Sequence, residues 1–123
     1  MEYGRNQFQY GVREATRLVT ELVNAKRGTS GGTHAAIRTV SVECNITAAQ
    51  VRRLLQPSRR PKDVGLGIWL RITHAYRCYL LRQIAALEQE LRVMEALGNV
   101  DPRTAGDLAA EAEALRRRIK KHL

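Results

Sequence analysis

Arg52, Arg53, Arg59, Arg60 and Lys62 stand close together in the stretch VSVECNITAAQVRRLLQPSRRPK, residues 40–62. Cations of this kind neutralise phosphates, and arginine can also form paired hydrogen bonds with a guanine edge. No acid interrupts the segment between Cys44 and Pro61, where a merely solvated helix would tend to alternate its signs. The 123-residue chain has a net charge of +9, and its distribution is uneven. Lys and Arg outnumber Asp and Glu by 8 to 1 in residues 44–82, against 6 to 4 in residues 1–43 and 7 to 7 in residues 83–123. Charge needed only for solubility has no reason to collect in one third of a chain, so a polyanion is the expected partner.

Other reactive residues are scattered. His34, His74 and His122 form no pair at ligand spacing on one helix face, and Cys44 and Cys78 form no paired zinc motif. Each cysteine falls in an apolar stripe, which predicts buried reduced thiols and no disulfide. Asp63 is the sole acid between Cys44 and Arg82, so no local carboxylate pair can serve as general acid and base. The loop KRGTSGGT lacks the lysine followed by Ser or Thr of a phosphate cradle and follows no strand. The expectation is a protein that is not an enzyme and holds no cofactor or metal.

The elements that must position the cations read as helices. Three prolines in a chain rich in Ala, Leu and Arg predict an all-α fold. Residues 1–9 read as a loose arm. From Tyr10 to Lys26, Val12, Ala15, Leu18, Val19, Leu22 and Val23 recur at spacings of three and four, and Gly28 is expected to close that helix in a left-handed conformation. A second helix is predicted from Thr33, acting as its cap, to Cys44, with Ala36, Ile37, Val40 and Cys44 inward. Asn45 tolerates a positive φ, and Thr47 is expected to cap a third helix, AAQVRRLLQ. Pro57 and Pro61 then force a loop around Ser58, Arg59 and Arg60.

A long fourth helix, with Asp63 as its cap, carries a broad stripe of Val64, Ile68, Ile72, Ala75, Tyr76 and Tyr79, flanked by Trp69. From Leu80 the stripe narrows to a coiled-coil seam of Leu80, Ile84, Leu87, Leu91 and Met94. Gly98 stops the helix, Thr104 is expected to cap the next, and Leu108, Ala112, Leu115 and Ile119 repeat the same rhythm. The result is a C-terminal helical hairpin.

The stretch that begins at Val40 resembles the helix-turn-helix of bacterial and phage repressors. Val40, Ser41 and Cys44 match the apolar, small and apolar positions of its first helix. Asn45 stands at the turn position usually held by glycine, Ile46 follows as the apolar residue, and Val51 and Leu54 match the inward positions of the recognition helix. The match covers about 20 residues, and departs from the family in Ser41, where alanine is commonest, and in Asn45. It implies a small helical bundle over residues 1–79 that binds double-stranded DNA. The seam of residues 80–123, which neither helix can bury alone, is expected to pack within the hairpin, on a second copy of the chain, or both, which makes the hairpin the candidate oligomerisation element.

On this reading Thr47, Ala49, Gln50, Arg52, Arg53, Ser58, Arg59, Arg60 and Lys62 form the DNA-binding set. Gln50 would face adenine, Arg53 guanine, and Arg52, Arg59, Arg60 and Lys62 phosphates. Leu80, Ile84, Leu87, Leu91, Met94, Leu108, Leu115 and Ile119 would join two chains as a homodimer. No apolar run has the roughly 20 residues of a membrane span, and the N-terminus lacks the core of a signal peptide, which predicts a cytoplasmic protein at a bacterial nucleoid. A regulator of transcription is the first expectation, with a weakly selective architectural DNA-binding protein or a protein–protein adaptor as alternatives.

Overall fold

The computed structural model describes residues 2–29, 31–61, 63–98 and 101–121, with residues 2–10 described by their backbone alone. The fold is all-α, with no strand among the described residues. Its helices are α1 (Glu2–Arg27), α2 (Thr33–Cys44), α3 (Ala48–Leu55), α4 (Leu66–Ala96) and α5 (Pro102–Lys121), with a 3₁₀ turn at Pro57–Arg59. The chain divides into two compact units, Met1–Tyr76 and Arg77–Leu123.

In the first unit α1 packs on both α2 and α3, which also pack on each other. The spacing of three and four in α1 turns Ala15, Leu18, Val19, Leu22 and Val23 into one buried face. Ala36, Ile37, Val40 and Cys44 of α2 and Val51 and Leu54 of α3 join that core, with Val64, Ile72, Ala75 and Tyr76. Polar ties also hold α1 to its neighbours. Tyr76 Oη donates to Glu21 Oε2 at 2.5 Å, which lets a large aromatic be buried with its hydroxyl satisfied. Lys26 Nζ lies 2.9 Å from Glu43 Oε1, joining the end of α1 to the last turn of α2.

Several boundaries differ from the sequence expectations. Residues 2–9 are no loose arm: they continue α1 upstream, in a segment with no proline to break it. Gly28 does not take the left-handed conformation; positive φ angles fall at Gly31 and Gly32, and the Thr29 amide reaches back to the Lys26 carbonyl. Thr33 is the first helical residue of α2 rather than its cap, because Gly32 occupies the cap position without a side chain to offer. Asp63 does not cap α4, which begins three residues later at Leu66.

The second unit contains the C-terminal part of α4 together with α5. Gly98, at φ 69, ends α4 as expected. The cap of α5 is Asp101 and not Thr104. Asp101 Oδ1 accepts from the Arg103 amide and Oδ2 from the Thr104 hydroxyl, while Pro102 takes the first helical position, where its missing N–H costs nothing. Leu80, Ile84 and Ala112 are buried, and Leu87, Leu91, Met94, Leu108, Leu115 and Ile119 are half-buried. Arg116 of α5 pairs with Glu88 of α4, so the hairpin is tied together within one chain.

Candidate nucleic-acid interface

The corner between α2 and α3 is built from main-chain hydrogen bonds that only one kind of residue satisfies comfortably. Asn45 adopts φ 54 and ψ 45, the left-handed region. Its amide donates to the Val42 carbonyl at 3.2 Å, and the Ile46 amide to the Ser41 carbonyl at 3.0 Å. This pair of bonds is a Schellman closure, which satisfies the Ser41 and Val42 carbonyls in the last turn of α2. Ile46 then folds inward and is buried, anchoring the corner to the core. Arg71, on α4, donates from Nη1 to the Asn45 carbonyl at 3.3 Å and so touches the turn from a different helix.

Three residues after α2 ends, α3 begins with a capping box. Thr47 Oγ1 accepts from the Gln50 amide at 3.1 Å, and Gln50 Oε1 accepts from the Thr47 amide at 2.8 Å. A three-residue turn, Asn45 to Thr47, therefore joins α2 to α3 at a tight corner. Val51 and Leu54 face inward, which leaves Thr47, Ala49 and Arg53 exposed and Gln50 and Arg52 partly so.

The expected DNA-binding residues therefore share one region with unequal freedom. Arg53 is exposed, as are Ser58 and Arg59 on the 3₁₀ turn. Arg52 offers Nη2 to His34 Nδ1 of α2 at 3.3 Å, so it is steered toward the N-terminal end of α2. Arg60 donates from Nε to the Leu54 carbonyl at 3.3 Å and thereby serves as a stop for α3. Gln50 is committed to the capping box at both its amide and its side chain. Lys62 lies outside the described residues.

Two further residues reach this region and were not read as part of it from the sequence. His34 of α2 is exposed and meets Arg52, and Arg71 is exposed beside the turn. Arg71 lies in the charge-rich residues 44–82, so the uneven charge could have flagged it, whereas His34 joins the set only through its contact with Arg52.

A cleft of about 370 Å³ runs beside α3, lined by Gln50, Arg53 and Leu54 of that helix and by Pro61, Asp63, Val64, Gly65 and Ile68. Cys44, beneath the corner, is a free thiol whose pKa burial and the neighbouring Glu43 charge push up to about 11. A thiol held so firmly protonated is packing material rather than a nucleophile. Among the described residues no cluster of His, Cys, Asp and Glu is arranged to hold a metal ion, and no helix is long and apolar enough to cross a membrane. No protein-family profile, curated protein or solved structure matches this chain.

Proposed function

We propose that this chain is a sequence-selective DNA-binding protein that regulates transcription as a homodimer. The observation that carries the reading is the corner at Asn45, where a Schellman turn and a capping box set an eight-residue helix whose outward side and exit carry Arg52, Arg53 and Arg59 with no acid among them. Such a helix suits the major groove: small residues at its N-terminal end admit close approach, and the arginines meet guanine or phosphate. Pairing two copies through the half-buried residues of the hairpin would present two recognition helices to two half-sites. In a bacterial cell the nucleoid would be its place of action.

The test is a gel shift with Arg52→Ala and Arg53→Ala combined. Binding should be abolished while circular dichroism and solution mass stay as in the wild type. Normal DNA affinity in that double variant would remove the groove assignment.

A second reading, an architectural protein that follows backbone and shape, is favoured by the state of Gln50. With its side chain committed to the capping box, one of the two expected base readers is withheld. That reading predicts a steep salt dependence with little difference between DNA sequences. A footprint confined to one palindrome counts against it.

A further inference from the structure

The cleft beside α3 has chemistry that DNA recognition does not require. Its floor is apolar: Leu54 and Val64 are buried, and Pro61 and Ile68 are half-buried. At its rim stand two exposed side chains of opposite charge, Arg53 from α3 and Asp63 from the segment before α4. Among the described residues neither makes an ion pair or hydrogen bond, so the cleft presents a cation and an anion separately over an apolar base. At about 370 Å³ it falls at the small end of the roughly 300 to 1,000 Å³ typical of ligand pockets, which suits a molecule of amino-acid size and not a dinucleotide.

We propose that this cleft binds a free α-amino acid with an apolar side chain. Its carboxylate meets Arg53, its ammonium group meets Asp63, and its side chain lies over Leu54, Val64 and Ile68. A molecule bearing both charges pairs with both side chains, whereas one bearing a single charge pairs with only one of them.

A regulatory consequence rests on the DNA-binding reading above. Arg53 and Gln50 line the cleft and also face outward from α3, so a bound amino acid and a bound DNA groove compete for them. By linkage, the amino acid lowers DNA affinity by the same factor as DNA lowers the affinity for the amino acid.

The experiment titrates the whole chain with L-leucine in the absence of DNA and follows the amide proton–nitrogen spectrum. Saturable shifts at Arg53, Asp63, Val64 and Gly65 are expected, with leucinamide and 4-methylpentanoate each at least about tenfold weaker. Asp63→Asn should weaken L-leucine at least about tenfold without weakening DNA binding. No saturable shift by about 10 mM L-leucine, or equal binding of the two single-charge analogues, overturns the proposal. L-leucine binding in a chain without DNA affinity supports the amino-acid site and overturns the DNA reading instead.

Discussion

Thr47 and Gln50 hold each other across the first turn of α3, each through a backbone amide and a side-chain oxygen. Gln50 starts the helix, and on the proposed function the same side chain would also have to read a base. Thr47→Ala should lower stability by about 1 kcal/mol in chemical denaturation, the usual cost of losing an N-cap. Gln50→Ala should lower it by a similar or smaller amount, while Gln50→Glu keeps the reciprocal bond and stays near wild type. On DNA the order changes: Gln50→Glu, which places a carboxylate beside phosphates, should bind more weakly than Gln50→Ala. If the two variants bind equally, position 50 does not approach the nucleic acid.

Asn45 carries the corner's backbone strain. A left-handed conformation costs an ordinary L-residue about 1 to 2 kcal/mol, and a β-branched side chain suffers most. Asn45→Gly should leave the denaturation midpoint nearly unchanged, because glycine meets no Cβ penalty there. Asn45→Val should lose about 2 kcal/mol and, by loosening the angle between α2 and α3, weaken DNA binding as well. A valine variant as stable as the wild type would contradict the left-handed turn.

The local features of the site were legible in the sequence, and the long-range ones were not. Thr33 to Cys44 was readable as a helix because its apolar spacing and the Asn45 stop lie within one stretch, and α2 has those bounds. Thr47 was readable as a cap because the capping box spans only four residues. Arg71 reaching Asn45 across 26 positions, and His34 meeting Arg52 across 18, depend on how the helices pack, which no local pattern encodes. Where two caps compete in one loop, sequence order misleads: Asp101 precedes Pro102 and takes the role expected of Thr104, since proline is best tolerated just inside a helix start. The seam in the hairpin was readable from its spacing, but its partner was not. Arg116 meeting Glu88 shows that it is tied within one chain.

Arg59 and Arg60 are neighbours in sequence with different work to do. Arg59 is exposed on the 3₁₀ turn, while Arg60 donates to the Leu54 carbonyl at the end of α3. Arg59→Ala should leave stability unchanged and reduce the slope of log affinity against log salt by about 1, the signature of one lost phosphate contact. Arg60→Ala should also lower stability, by up to about 1 kcal/mol, because α3 loses a bond to its terminal carbonyl. Measuring both variants by denaturation and by salt titration separates the roles. An unchanged salt slope in Arg59→Ala removes that residue from the interface.

Cys44 gives the folded state a pH limit. Its side chain is 1% exposed, and burial, with the Glu43 charge adding to it, raises its pKa from 9.0 to about 11. Below pH 9 the thiol is protonated whether the chain is folded or not, and stability does not depend on it. Between pH 9 and 11 the unfolded chain releases the proton while the folded chain keeps it, so the unfolded state binds fewer protons and stability falls as pH rises. Each unit is worth about 1.4 kcal/mol, for a total on the order of 3 kcal/mol, which levels off once the folded thiol also ionises. The informative quantity is the stability difference between wild type and Cys44→Ala. That difference should be constant from pH 7 to about 8.5 and shrink toward pH 11. A difference that stays constant across the whole range would mean that the thiol ionises in the folded protein as readily as in the unfolded chain, and that the floor beneath the corner is open to water.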